Sequence, residues 1–187
     1  MGRFNVIETG IKDLKVIKFD PFLDSRGYFY ESYNKNDFIK MGITEEFVQD
    51  NQSMSSKGVL RGLHFQINYP QSKLVRCLKG KVFDVAVDIR KDSPTYGKHY
   101  GVELTEDNNT MFYVPKNFAH GFLVLSDTAI FSYKVTDFYH PNDEGGIMYD
   151  DPDLNIKWPI PDDPDFKILL SDKDTKHPLF KDLKLGS

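Results

Sequence analysis

The chain has 187 residues, 40% hydrophobic and 28% charged, a composition that fits one folded domain and excludes a disordered chain. Lys and Arg number 24 against 28 Asp and Glu, and a net charge of -4 argues against general nucleic-acid binding, which leaves a basic footprint. A lone cysteine, Cys77, excludes an internal disulfide, residues 1–6 hold no apolar signal core, and no run nears the roughly 18 apolar residues of a membrane span, so a cytoplasmic globular protein is expected.

In chain order, a first strand is expected over 15–19 and a second over 28–33, separated by the turn Asp24-Ser25-Arg26-Gly27. A helix is expected over 37–41, with Asn34 or Asn36 as its cap and Gly42 as its stop. Strands follow over 47–51, 59–66 and 73–78. The stretch KVFDVAVDIR then alternates most clearly: Phe83, Val85, Val87 and Ile89 share one face, and Val82, Asp84, Ala86 and Asp88 share a partly polar one. Further strands are expected over 99–104, 110–114, 121–125 and 128–138. The tail from 160 to 187 is rich in Pro, Asp and Lys and reads as loops with one short helix wrapped on the domain. Many short strands with frequent turns indicate a sandwich or barrel, and aromatics at 14% suit strands and binding surfaces alike.

Five histidines invite a test for metal: His64, His99, His120, His140 and His177. Small β-barrels often use a His-x-His pair on one strand. Here the strand reads Leu63-His64-Phe65-Gln66, so Gln66 stands at the second ligand position, and without a Cys cluster no metal cofactor is expected. His64 suits a base working near neutral pH, or a satisfied structural histidine. Regular alternation puts Gly62, His64 and Gln66 on one face and Arg61, Leu63 and Phe65 on the other. Arg26 fits a surface turn. Lys73, Arg76, Lys79 and Lys81 fit a solvated strand edge. Tyr133 and Tyr139 fit a rim or a general acid, Asp174 fits a cap or a histidine partner, and His120 fits a turn that aims it inward.

Read together, these segments resemble the dTDP-4-dehydrorhamnose 3,5-epimerase family. The carrying stretches are DSRGYFYES, FVQDNQSMSSKGVLRGLHFQ, KLVRCLKGKVFDVAVDIRKDSPTYGKHYGVEL, VPKNFAHGFLVLSDTAIFSYKVTDFY, DDPDLNIKWP and ILLSDKD, in family order over nearly the whole chain. The resemblance implies an all-β, cupin-type jelly roll with short helices and a wrapping C-terminal tail. It implies one domain over 1–187, no metal or other cofactor, and a homodimer built by N-terminal strand exchange. It also implies inversion of C3 and C5 of dTDP-4-dehydro-6-deoxy-D-glucose to give dTDP-4-dehydro-L-rhamnose. By the same resemblance His64 is the base, Asp174 its partner, Lys73 the cation beside the developing oxyanion and Tyr133 the acid. Arg26, Glu31, Gln49, Asp50, Asn51, Arg61, His120, Tyr139, Glu144 and Lys173 fall on substrate-binding positions, with Tyr139 stacking on the base and the arginines suited to the diphosphate. A relative that inverts one carbon, or acts on another nucleotide-linked 4-keto sugar, would carry the same residues. A non-catalytic sugar-nucleotide-binding or metal-binding cupin is the alternative of another class. No membrane or nucleic-acid partner is expected.

Overall fold

The computed structural model describes residues 4–185. The first three residues of the expected leaderless N-terminus and the last two of the expected tail lie outside them. Thirteen strands follow one another: β1 (Phe4–Glu8), β2 (Lys15–Phe19), β3 (Phe22–Asp24), β4 (Gly27–Phe29), β5 (Gln49–Ser56), β6 (Leu60–Gln66), β7 (Lys73–Lys79), β8 (Lys81–Asp88), β9 (His99–Thr105), β10 (Thr110–Val114), β11 (Phe118–Val124), β12 (Thr128–Val135) and β13 (Glu144–Gly146). One short helix, α1 (Lys35–Lys40), precedes β5, and two 3-10 turns, Asp174–Lys176 and Phe180–Asp182, mark the tail. The expected all-β jelly roll is therefore the architecture observed. Among the described residues no helix is long and apolar enough to cross a membrane.

Two antiparallel sheets pack face to face. One runs β1-β2-β10-β7-β12-β5 and the other β13-β6-β11-β8-β9, while β3 and β4 form a separate hairpin. Their shared core takes Val75, Phe112, Val114 and Phe131 from the first sheet and Val82, Ala86, Leu104 and Phe122 from the second. Each such large apolar side chain contributes about 1.5–3 kcal/mol by leaving water. β8 shows why the alternation of KVFDVAVDIR is so clean. Its Val82 and Ala86 face the other sheet, whereas Val85, Val87 and Ile89 form a second core under Leu154 and Trp158 and under Phe180 and Leu185 of the tail. The tail thus wraps because one sheet has apolar side chains on both faces.

Local signals set several boundaries as expected. Asn34 is the helix cap, its side chain accepting from the amides of Asn36 and Asp37, and Gly42 takes φ +83° just past the end. Others moved. β5 is longer and later than expected because its polar run pairs residue for residue with β12, from Gln49 opposite Val135 to Ser56 opposite Thr128. The strand expected over 28–33 is only the second arm of the β3–β4 hairpin. β1 and β13 carry too little alternation to be seen in the sequence, and pairing with β2 and β6 creates them.

Candidate active site

A cavity of about 500 Å³ opens between the two sheets at one end. Sheet one lends Lys73 from β7 and Tyr133 from β12. Sheet two lends Arg61 and His64 from β6, His120 from β11 and Glu144 from β13, and the tail adds Lys173 and Asp174. An adjoining cavity of about 280 Å³ shares His64, Lys73, Tyr133 and Glu144 and extends past Gln49, Asn51 and Tyr139.

Regular alternation does not hold along β6. Arg61 does not face away from His64, and both line the cavity. His64 pairs with His120 and Arg61 with Phe122, so two residues of β6 oppose one of β11. This bulge turns the strand by one position and re-aims Arg61. Glycines permit it. Gly62 sits at φ +117°, and a Cβ there would lie 2.6 Å from Gly121 Cα and from the His120 carbonyl oxygen. The Arg61 guanidinium then donates from Nε to Ser55 Oγ at 3.1 Å.

His64 and Asp174 are 110 residues apart, and Nε2 meets Oδ1 at 2.5 Å. The tail reaches β6 through Leu60 N–H to the Leu169 carbonyl at 3.0 Å and Leu169 N–H to the Gly58 carbonyl at 2.8 Å. Ser171 Oγ donates to the other Asp174 oxygen at 2.8 Å. Burial alone would raise the Asp174 pKa. The nearby His177 and the bonds from His64 and Ser171 outweigh it and hold the carboxyl well below the usual carboxylate range. An ionised Asp174 accepts only, so His64 carries its proton on Nε2 and keeps a free lone pair on Nδ1. Nδ1 lies 4.0 Å from Glu144 Oε1.

A second histidine–carboxylate pair forms the floor. His120 Nε2 lies 2.8 Å from Asp84 Oδ1, and both side chains are buried. Burial pushes the Asp84 pKa up, against the pull of His120 and Lys73. Lys73 is pushed down to about 8 by burial, with Asp84 and Glu144 opposing the fall. The Tyr133 pKa is raised, first by burial and then by Glu144 and Tyr139, while Arg61 opposes, so the phenol stays protonated at neutral pH. Glu144 ion-pairs with Lys173 and accepts from the Tyr139 hydroxyl at 3.1 Å. Burial would raise Glu144, but Lys173, His64 and Tyr139 together keep it low.

Three expected site residues lie elsewhere in the single chain. Arg26 tips the β3–β4 hairpin, 88% exposed and paired with Asp24. Glu31 accepts from Asn34 on the surface. Asp50 is not part of a wall around the cavity. Alternation along β5 turns it outward to Lys134 at 2.9 Å, while its neighbours Gln49 and Asn51 turn in.

Other contributors escaped the sequence reading. Ser171 and His177 lie in a tail with no periodicity to place them. Asp84 was legible as a polar residue on the Val82–Ala86 face, but not its partner. Gln66 is no ligand. Its amide donates to the Tyr69 carbonyl at 2.6 Å and the Phe138 carbonyl at 3.2 Å, and accepts from His140 N–H at 2.7 Å. It thereby pins the loop that carries Tyr139.

The family model for dTDP-4-dehydrorhamnose 3,5-epimerase matches residues 8–182. The chain belongs to this family. A dTDP-4-dehydrorhamnose 3,5-epimerase of Methanothermobacter thermautotrophicus is 49% identical over 174 residues, covering 93% of each chain. The enzyme of that name from Escherichia coli strain K12 is 54% identical over 157 residues, 83% of this chain and 85% of its own. The crystal structure of the dTDP-6-deoxy-D-glucose-3,5-epimerase from Legionella pneumophila, in complex with dTDP-4-keto-L-rhamnose, superposes with a TM-score of 0.92 at 49% identity, covering 97% of this chain and 95% of that one. Membership makes the chain an isomerase and its two-sheet fold cupin-type.

Proposed function

We propose that this chain, read as one epimerase domain over its whole length, inverts C3 and C5 of dTDP-4-dehydro-6-deoxy-D-glucose to give dTDP-4-dehydro-L-rhamnose. The observation that carries the residue assignment is the convergence of His64–Asp174, Lys73 and Tyr133 on one cavity. Both carbons are α to the C4 carbonyl, so loss of either proton gives an enolate. His64 Nδ1 takes the proton, and Asp174 holds the tautomer and balances the imidazolium that forms. Lys73 faces the developing oxyanion as a preplaced cation in a partly dehydrated site. Tyr133, kept protonated by burial, returns a proton to the opposite face of the ring. Arg61, Lys73 and Lys173 supply three cations for a dianionic diphosphate, and Tyr139 offers a ring for the base. The net charge of -4 is compatible with this, because the cations are local.

The reading includes a cytoplasmic homodimer. Leu23, Tyr28 and Phe29 of the hairpin are 76%, 70% and 68% exposed, and Met54 is 71% exposed on β5, an edge strand. Apolar surface of this kind beside an open edge suits a second copy. Pairing of two copies would bring Arg26 and Glu31 to the partner's cavity. If so, mixing Arg26→Ala chains with Tyr133→Phe chains restores part of the activity that each lacks.

The reaction is tested in deuterated water by NMR. Deuterium enters at C3 and C5 if the reading is right. Entry at one carbon indicates a mono-epimerase, and entry at neither indicates a binding protein. Tyr133→Phe slows net inversion more than exchange, because His64 survives. Equal losses would remove Tyr133 from the acid role.

A further inference from the structure

One buried nitrogen is left over by the epimerase reading. His177 directly follows the 3-10 turn Asp174–Lys176, with its side chain 9% exposed. Its Nε2 is shut off from water and makes no hydrogen bond among the described residues. It lies 3.3 Å from Asp174 Oδ1, the oxygen that holds His64. The ring's place is built into the fold, since a Cβ on Gly146 would stand 2.3 Å from it. A buried nitrogen whose recorded partner, Asp174 Oδ1, is an ion-pair contact outside hydrogen-bonding geometry is poorly satisfied and can serve as a ligand. His64, Asp174 and His177 each offer one donor atom, and the three atoms all lie within 4.8 Å of one another.

We infer that His64, Asp174 and His177 form a zinc-capture site that switches the enzyme off when filled. Two imidazoles, one carboxylate and a position open to the cavity make a donor set suited to tetrahedral Zn²⁺. Ligands at about 2.0–2.1 Å from such an ion stand about 3.3 Å apart. The Asp174–His177 edge already has that length, and the His64–Asp174 edge must widen by about 0.8 Å. Water takes the fourth position. The ion replaces the proton on His64 Nε2, and that proton moves to Nδ1. The lone pair that would accept the substrate proton is then gone. Asp174 stays ionised and nothing is oxidised or reduced. The site thus differs from a cofactor site, because its occupant blocks the base. Only the loss of activity rests on the proposed function, and binding does not.

The whole chain is titrated with zinc chloride by calorimetry without substrate, and inhibition is measured separately. One Zn²⁺ per chain is expected. His177→Asn weakens binding at least tenfold and raises the inhibitory zinc concentration by a similar factor, each variant being compared with its own zinc-free rate. His64→Asn also weakens binding, and EDTA restores wild-type activity. Binding that survives both substitutions, or no binding, overturns the site. Binding without inhibition in an active enzyme overturns the switch. Should His177→Asn fail to fold by circular dichroism, His177→Gln takes its place. The wild type loaded with cobalt then shows the intense visible bands of a tetrahedral nitrogen and oxygen site, and their absence overturns the site too.

Discussion

The cavity contains two histidine–aspartate pairs of similar geometry in different surroundings. His64–Asp174 spans 2.5 Å at the tail side, where the imidazole is 26% exposed. His120–Asp84 spans 2.8 Å on the floor, 7% and 0% exposed. Around Asp174, His177, His64 and Ser171 overcome burial and keep the carboxylate ionised. Around Asp84 burial wins, and Oδ2 makes no hydrogen bond among the described residues. The same two side chains therefore do different work. A buried but well-bonded carboxylate orients a base, while a buried one with an oxygen left unbonded tunes its neighbours.

The largest expected effect separates the pairs directly. His64→Ala lowers solvent exchange at both carbons by about 10³-fold with the fold intact, whereas His120→Asn costs about tenfold. Equal losses would erase the distinction. Next comes Asp174→Asn. It leaves His64 Nε2–H without a charged acceptor, and kcat falls by roughly 10–100-fold, the worth of one hydrogen bond to a charged group. The third effect is a shift with pH. Lys73 is charged below about 8, so activity that needs its cation falls as pH rises through that value. The Asp84 carboxylate favours the charged form, so Asp84→Asn moves the alkaline limb of kcat/KM to lower pH. An unmoved limb would dissociate the floor pair from Lys73. The smallest effect concerns the loop. Gln66→Ala frees the Tyr139 loop and raises KM a few-fold with kcat nearly constant, seen in steady-state kinetics.

Much of the strand framework is legible because burial imposes period two. KVFDVAVDIR announces β8, with one apolar face and one partly polar face, and the structure covers the apolar one with the tail. Turn chemistry is equally local: Asn34 and Gly42 bound α1 through their own side chain and backbone. The residues proposed to bear the chemistry are legible as well, but mainly by resemblance, since His64 or Tyr133 alone fits a strand core. Spacing misled at one point. Regular alternation set Arg61 opposite His64, whereas the bulge puts both on the cavity.

What the sequence determines by itself is therefore what depends on neighbours within a few positions: the strands, the cap, the turns and the exclusion of a disulfide. Tertiary structure decides the rest. The bulge opposite Gly121 aims Arg61, because only close approach of two strands shows that the glycines are needed. The bridge from Val59 to Leu169 brings Asp174 across 110 residues to His64 and so selects the nitrogen that keeps its lone pair. Burial between two sheets lowers Lys73 and raises Asp84, and burial belongs to the assembled fold. Proton affinity is set by distance and dielectric, and neither is written along the chain.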